Sequence, residues 1–180
     1  RYPDEDLIAT IGNFDGLHLG HQNILKNMND EAMAKGWKRL VIFTEPHARE
    51  YFAQSKGRSS EKPPRIFPWS EKFIRLREIG IDFAFFLNFD TQLRAMTPER
   101  FLEEVLLKLG IKKIVIGDDF RFGANREGDF KFLKDWGKEN GIEVVNTETY
   151  EINEKRVSST RIREALTNNQ FKEAEELLGR

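Results

Sequence analysis

Leu7-Ile8-Ala9-Thr10-Ile11-Gly12-Asn13-Phe14-Asp15-Gly16-Leu17-His18-Leu19-Gly20-His21 runs from an apolar, β-branched segment through a glycine-bearing turn into a helical pattern. Leu7–Gly12 reads as a strand. Leu19–Lys35 reads as a helix, because Ile24, Leu25, Met28 and Ala32 recur at helical spacing and Gly36 supplies a stop. A strand that feeds a helix through a short turn is the opening of a βαβ unit.

Outward from that stretch the same alternation continues. Arg39–Thr44, Phe83–Leu87, Lys113–Gly117 and Glu143–Thr147 read as further strands, with a short one toward Val157. A helix capped by Ser70 runs to Ile79 and stops at Gly80. Thr97 as N-cap and Pro98 at the first helical position open another, whose Phe101, Leu102, Val105, Leu106 and Leu109 form an apolar stripe ending at Gly110. Phe130–Asn140, Thr160–Asn168 and Phe171–Leu178 complete the helices. Glu45–Ile66 has no clean period and holds Pro46, Gly57, Pro63 and Pro64, so a long mobile loop with about one helical turn is expected there. Asp118–Asp129 is a second loop. The fold class is α/β, with a doubly wound, parallel, five-stranded, Rossmann-like sheet. Ligands of such sheets sit at the carboxyl ends of the strands, near the switch point.

The composition sets limits. A chain of 180 residues, 39% apolar with fifteen Phe, has material for one domain with one sizeable core. Lys plus Arg is 29 and Asp plus Glu is 30, so no gross attraction to nucleic acid or anionic lipid is expected. The longest apolar run, Phe83–Leu87, is five residues, whereas a bilayer span needs about 20. The absence of Cys excludes thiol nucleophiles and disulfides and suits a reducing, cytoplasmic compartment. Arg1-Tyr2-Pro3-Asp4 is neither a secretory signal nor a Met start, as expected of a piece of a longer chain.

Four places on one rim carry chemistry. His18 and His21 flank Gly20 where a helix begins, and free N–H groups and the macrodipole there favour an anion. Imidazole can donate to phosphate oxygens. One capping and one packed histidine is the plain alternative, and a His-x-x-His pair with no third ligand nearby is weak for zinc. Ser158, Ser159 and Thr160 are good N-caps for the next helix, yet Arg161 and Arg163 fall in its first turn, where the macrodipole prefers acids. No acid lies between Lys155 and Arg163, so an anionic ligand is expected to balance them. Gly117-Asp118-Asp119-Phe120-Arg121-Phe122-Gly123 follows the fourth strand, and Asp119 suits ribose hydroxyls or a metal, the Phe residues a stacking platform or the core. Thr44-Glu45-Pro46-His47 follows the second strand. Neither Gly-x4-Gly-Lys-Ser/Thr nor Gly-x-Gly-x-x-Gly occurs.

His18-Leu19-Gly20-His21 together with Ser158-Ser159-Thr160-Arg161-Ile162-Arg163 resembles the paired signature of nucleotidylyltransferases. Gly12–His21, Glu45-Pro46-His47 and Gly117–Gly123 resemble more closely the adenylyltransferase module of bacterial FAD synthetase, from Ile8 to Arg180. The chain departs from that pattern at Thr44, Val157 and Ala48, and residues 55–68 match poorly. The resemblance implies a nucleotidylyltransferase fold and adenylyl transfer from ATP to FMN, giving FAD and pyrophosphate. The alternatives are transfer to another small phosphate ester, such as phosphopantetheine, or a flavin- or nucleotide-binding module without turnover. His18, His21 and Arg163 are the implied catalytic residues; the resemblance implies that Arg163 reaches the anionic ligand while Arg161 faces solvent. Gly12, Asn13, Phe14, Gly20, His21, Gly117, Asp119, Ser158, Ser159, Thr160 and Arg163 are the implied ATP contacts. Asp15, Pro46, His47, Phe120 and Arg121 are the implied flavin side. Mg²⁺ is expected, mostly on phosphate oxygens, with Asp119 on either the metal or the ribose. In the family a riboflavin kinase domain follows Leu178-Gly179-Arg180; it is absent from these 180 residues, so no phosphorylation of riboflavin is expected of them.

Overall fold

The computed structural model describes residues 5–58, 60 and 62–180. Arg1–Asp4, expected to be no secretory signal, lie outside the described residues, as do Ser59 and Glu61 within the expected loop. Strand β1 (Leu7–Ile11) leads to α1 (Leu19–Lys35), β2 (Lys38–Glu45), α2 (Ala48–Ser55), α3 (Trp69–Ile79) and β3 (Phe83–Asn88). Two short helices follow, α4 (Thr91–Ala95) and α5 (Pro98–Phe101). The second continues through a π-turn at Leu102–Leu106 and a 3₁₀ turn at Leu107–Leu109. Then come β4 (Ile111–Gly117), α6 (Phe130–Glu139), β5 (Glu143–Thr147), a hairpin of β6 (Glu151–Ile152) and β7 (Lys155–Arg156), α7 (Ser159–Thr167) and α8 (Phe171–Leu178).

The main sheet has the order β3-β2-β1-β4-β5, and every neighbouring pair in it is parallel. Alternation along each strand explains why helices cover both faces. Leu7, Ala9, Leu40, Ile42, Ile114 and Ile116 point to one side, where Leu102, Leu106 and Leu133 meet them. Ile8, Val41, Phe43 and Val115 point to the other, against Leu25, Met28, Ala32 and Leu76. A smaller cluster of Val157, Ile162 and Leu177 seats α7 and α8. The order reverses between β1 and β4, so the switch point lies where Gly12 and Gly117 leave the sheet.

The observed elements differ from expectation in a few places. The segment after β2 holds eight residues of helix, α2, rather than one turn, because His47 and Glu50 close a reciprocal capping box on it. Helix α3 begins at Trp69 with Pro68 at the N-cap position, so Ser70 is not its cap. Asp90 starts the unforeseen α4 by accepting from the N–H groups of Gln92 and Leu93. Among the described residues no helix is long and apolar enough to cross a membrane.

Helix α6 packs so closely on β5 that a Cβ at Gly137 would lie 2.6 Å from the Ile142 carbonyl oxygen and 2.7 Å from Val144. Ala gains about 1 kcal/mol over Gly in a helix, while overpacking costs about 1–3 kcal/mol. Gly137→Ala is therefore expected to lower the melting temperature despite the better helix former, as a thermal melt will show.

Candidate functional site

The site grows from the turn between β1 and α1. Gly12 still pairs with the sheet, donating to the Ile42 carbonyl at 3.0 Å. The chain then bends through positive φ at Phe14 (49°), Gly16 (82°) and Leu17 (43°). Positive φ is unfavourable for Phe and Leu and persists only where the surroundings enforce it. Here Lys72 Nζ donates to the Asn13 carbonyl at 2.7 Å and Thr44 Oγ1 meets Asn13 Oδ1 at 3.2 Å. The buried Asp15 carboxylate accepts from the N–H groups of Ile66 (3.1 Å) and Phe67 (3.2 Å) and from Arg163. Ser159 Oγ donates to the Asp15 carbonyl at 2.8 Å.

The turn delivers two histidines to the start of α1. His18 is the N-cap: its Nδ1 accepts from the His21 N–H at 3.3 Å, so its proton sits on Nε2. The rings stack with centroids 3.6 Å apart, and His21 also rests on Phe14 at 4.8 Å. Gly20 leaves room for this stack, since a Cβ there would stand 3.2 Å from His18 Nδ1. Burial, with Arg156 nearby, pushes the His18 pKa down to about 4. Burial and the neighbouring His18, Lys72 and Arg156 hold His21 well below its usual value. Both rings are thus neutral at pH 7, and the buried Nδ1 of His21 has no hydrogen-bond partner among the described residues.

Across the switch point, Arg156 pairs with Asp119 at 2.8 Å and Asp118 at 3.4 Å, and Thr149 donates to Asp118. Asp119 is thereby placed on the histidine side of the rim. Ser158 caps α7 by accepting from the Arg161 N–H at 3.2 Å, and Thr160, exposed in the first turn of α7, lines a cleft with Pro63 and Pro64. A cavity opens on the other flank of the Asn13–Asp15 turn, between His47, Arg65, Lys72 and Arg163. His47 caps α2 and reaches this cavity; burial keeps its pKa below the usual value.

Several expectations need correction. Arg161 does not face solvent: it pairs with Glu173 at 2.8 Å and donates to the carbonyls of Ile152 and Lys155. Arg163 already has its anion, Asp15, and its Nε donates to the Pro64 carbonyl at 2.7 Å. The balancing acids lie far away in sequence, where a search between Lys155 and Arg163 cannot find them. Phe120 stacks on Phe122 at 5.5 Å, and Phe122 belongs to the core with Phe101. Arg121 is exposed and donates to the Phe120 carbonyl at 2.7 Å. Phe120 and Arg121, like Pro46, are not among the residues lining the cavity beside His47. Lys72, Arg65 and Glu50 were not foreseen. Lys72 carries the signal that singled out Arg161 and Arg163, a cation near the start of a helix.

The family model for FAD synthetase matches residues 2–161. The bifunctional riboflavin kinase/FMN adenylyltransferase of Escherichia coli K12 is 39% identical over 178 residues, 98% of this chain and 55% of the relative. Its counterparts from Pseudomonas fluorescens and Haemophilus influenzae are 38% and 36% identical, over 96% and 95% of this chain and 54% of each relative. The chain spans about half the length of these curated relatives. Among solved structures, a macrolide-efflux protein from Streptococcus pneumoniae superposes with a TM-score of 0.83 at 26% identity, covering 98% of this chain and 56% of that one. Thermotoga maritima TmcAL bound with alpha-thio ATP shares the fold, with a TM-score of 0.58 at 10% identity over 96% of this chain and 52% of that one.

Two outcomes follow from the geometry. Arg163→Gln leaves the buried Asp15 without its cation and should destabilise the ligand-free protein by about 3 kcal/mol, read by chemical denaturation. On folding, the His18 pKa falls from 6.5 to about 4, so the unfolded chain binds a proton that the folded chain refuses. The stability is complete above pH 6.5 and is lost as the pH drops toward 4, by up to about 3 kcal/mol. His18→Asn keeps a capping acceptor and removes the titration, so melts between pH 7 and about 5 should show a flatter decline.

Proposed function

The chain belongs to the FAD synthetase family, and from that footing we propose that it transfers the adenylyl group of ATP to FMN, releasing pyrophosphate. An oxygen of the FMN phosphate attacks the α-phosphorus, the bond from that phosphorus to the bridging oxygen breaks, and pyrophosphate leaves with the electron pair. The acceptor is already anionic, so the protein has little proton transfer to do. Its work is positioning and stabilising spreading negative charge.

The observation that carries this reading is the stacked, neutral histidine pair at the start of α1, at the switch point, with an unpartnered buried nitrogen on His21. Neutral imidazoles and free helix N–H groups donate to phosphate oxygens without attracting nearby cations. In this reading His18 and His21 meet the phosphates, His21 at the α-phosphate. The backbone at Gly12, Asn13 and Phe14 approaches the α-phosphate or ribose, with Gly20 and Gly117 giving close access. Ser158, Ser159, Thr160 and Arg163 hold the β- and γ-phosphates, Arg163 through the N–H groups that Asp15 and Pro64 leave unused. Pro46 and His47 form the flavin side, with Asp15 beneath it as a brace.

Mg²⁺ enters with ATP on its phosphate oxygens. Among the described residues no group of three or more His, Asp or Glu side chains is placed to hold a metal ion. Asp119, tied to Arg156, suits one contact to the ribose or to the metal's water shell. The adenylyltransferase share of the bifunctional relatives is the part this chain corresponds to, in a cytoplasmic setting that suits a Cys-free chain.

Incubation with FMN, ATP and Mg²⁺ should yield FAD and pyrophosphate, and EDTA should abolish both. His21→Ala should lower kcat by about 10²–10³, the usual effect of losing one preorganised donor at the reacting centre. If FMN is left untouched while another phosphate ester is adenylylated, the flavin assignment fails.

A further inference from the structure

Lys72 is a buried cation that the reading above does not use. It stands in the first turns of α3, 7% exposed, and its ammonium lies 4.4 Å from the centre of the Trp69 ring and 5.5 Å from that of Phe43. An ammonium has three donors; among the described residues the Asn13 carbonyl takes one of them, at 2.7 Å. Lys72 also lines the cavity beside His47.

The other cations of that cavity have carboxylates. Arg65 is 2.7 Å from Glu45 and 2.6 Å from Glu50, and Arg163 holds Asp15. Among the described residues Lys72 forms no ion pair, although Asp15, Glu45 and Glu50 are near enough to act on its charge. Burial, with Arg65 nearby, lowers its pKa although Asp15, Glu45 and Glu50 act to raise it. An ammonium buried without an ion pair is unfavourable, and an anion entering the cavity offsets that. The location says which anion. Lys72 lines the cavity together with Glu45, His47 and Glu50, and its charge also acts on His21. Arg163 of α7 lines this cavity as well, but it already holds Asp15 and the Pro64 carbonyl, which leaves Lys72 as the cavity's cation without a carboxylate partner among the described residues.

We propose that Lys72 is the direct counter-charge for the acceptor's phosphate monoester, seating it between the histidine pair and the cavity at the end of β2. The assignment rests on the adenylyl-transfer reading and names the contact that makes the phosphorylated flavin, rather than riboflavin, the acceptor. The competing role is a brace: Lys72 holds the Asn13 carbonyl beside the positive φ of Phe14 and touches no substrate.

FMN and riboflavin differ only in the phosphate, so their binding to the 180-residue chain, followed by flavin fluorescence, separates the two roles. The wild type is expected to hold FMN about tenfold or more tighter than riboflavin, the scale of one charge-assisted contact. Lys72→Met should erase that preference while riboflavin affinity stays within about twofold, and Lys72→Arg should restore part of it. In steady state the FMN KM should rise and the ATP KM should not. A wild type without preference for FMN overturns the proposal. So does a Met variant that keeps the preference, or one that weakens both flavins equally, as a brace would. If circular dichroism shows the Met variant unfolded, Lys72→Gln, which keeps a donor for Asn13 but no charge, decides by the same ratio. Failure of the adenylyl-transfer reading appears separately, as a wild type that prefers FMN yet forms no FAD.

Discussion

The carboxylate of Asp15 ties three separated stretches of chain to one point. It accepts from the backbone of Ile66 and Phe67, which lead into α3, and from Arg163 on α7, while its own residue sits in the turn out of β1. A buried carboxylate is tolerable only when its lone pairs are filled, and two backbone donors plus a guanidinium do that. Because the turn carries positive φ at Phe14 and Leu17, it needs such outside enforcement. The placement of His18 and His21, a few residues on, inherits its definition from this anchor.

The charge pattern around that anchor is uneven in a way that suits an anionic ligand. The histidines are kept neutral by burial and by the cations about them. Arg156 is shared between Asp118 and Asp119, and Lys72 has a carbonyl rather than a carboxylate. Lys72 and the buried Nδ1 of His21 thus lack their best pairing among the described residues of the ligand-free protein. Charge-assisted contacts roughly double a neutral hydrogen bond, so groups held short of such pairing gain most when a phosphate arrives.

Much of this was legible in the sequence because it is local. Period-2 alternation marks the strands, and helical recurrence with Gly36, Gly80 and Gly110 marks the helix ends, each of which adopts positive φ. The histidine pair and the Ser158–Arg163 helix start stand beside each other because a parallel sheet brings the ends of its strands to one rim. The hidden part is non-local. Helix α2 buries only Glu50 and Ala53 fully, too thin a stripe to show a period, and α4 is five residues long. Asp15 and Arg163 meet across 148 positions, and Lys72 meets Asn13 across 59. Nothing in a window of sequence reports either contact.

Arg161 and Arg163 show how geometry divides residues that a motif groups together. Two positions along an α-helix turn the side chain by about 200°, so the two arginines leave α7 on nearly opposite sides. One side faces α8 and the hairpin, and there Arg161 finds Glu173 and two carbonyls. The other side faces the chain leading into α3, and there Arg163 finds Pro64 and Asp15. Their unfavourable position near the start of α7 is offset by acids from elsewhere in the fold, one on each flank. The helix is thereby pinned from both sides, and Ser158 and Ser159 at its start are held at a fixed distance from the turn that carries the histidines. An anion at this helix end is then a refinement of an arrangement already held by the protein's own carboxylates.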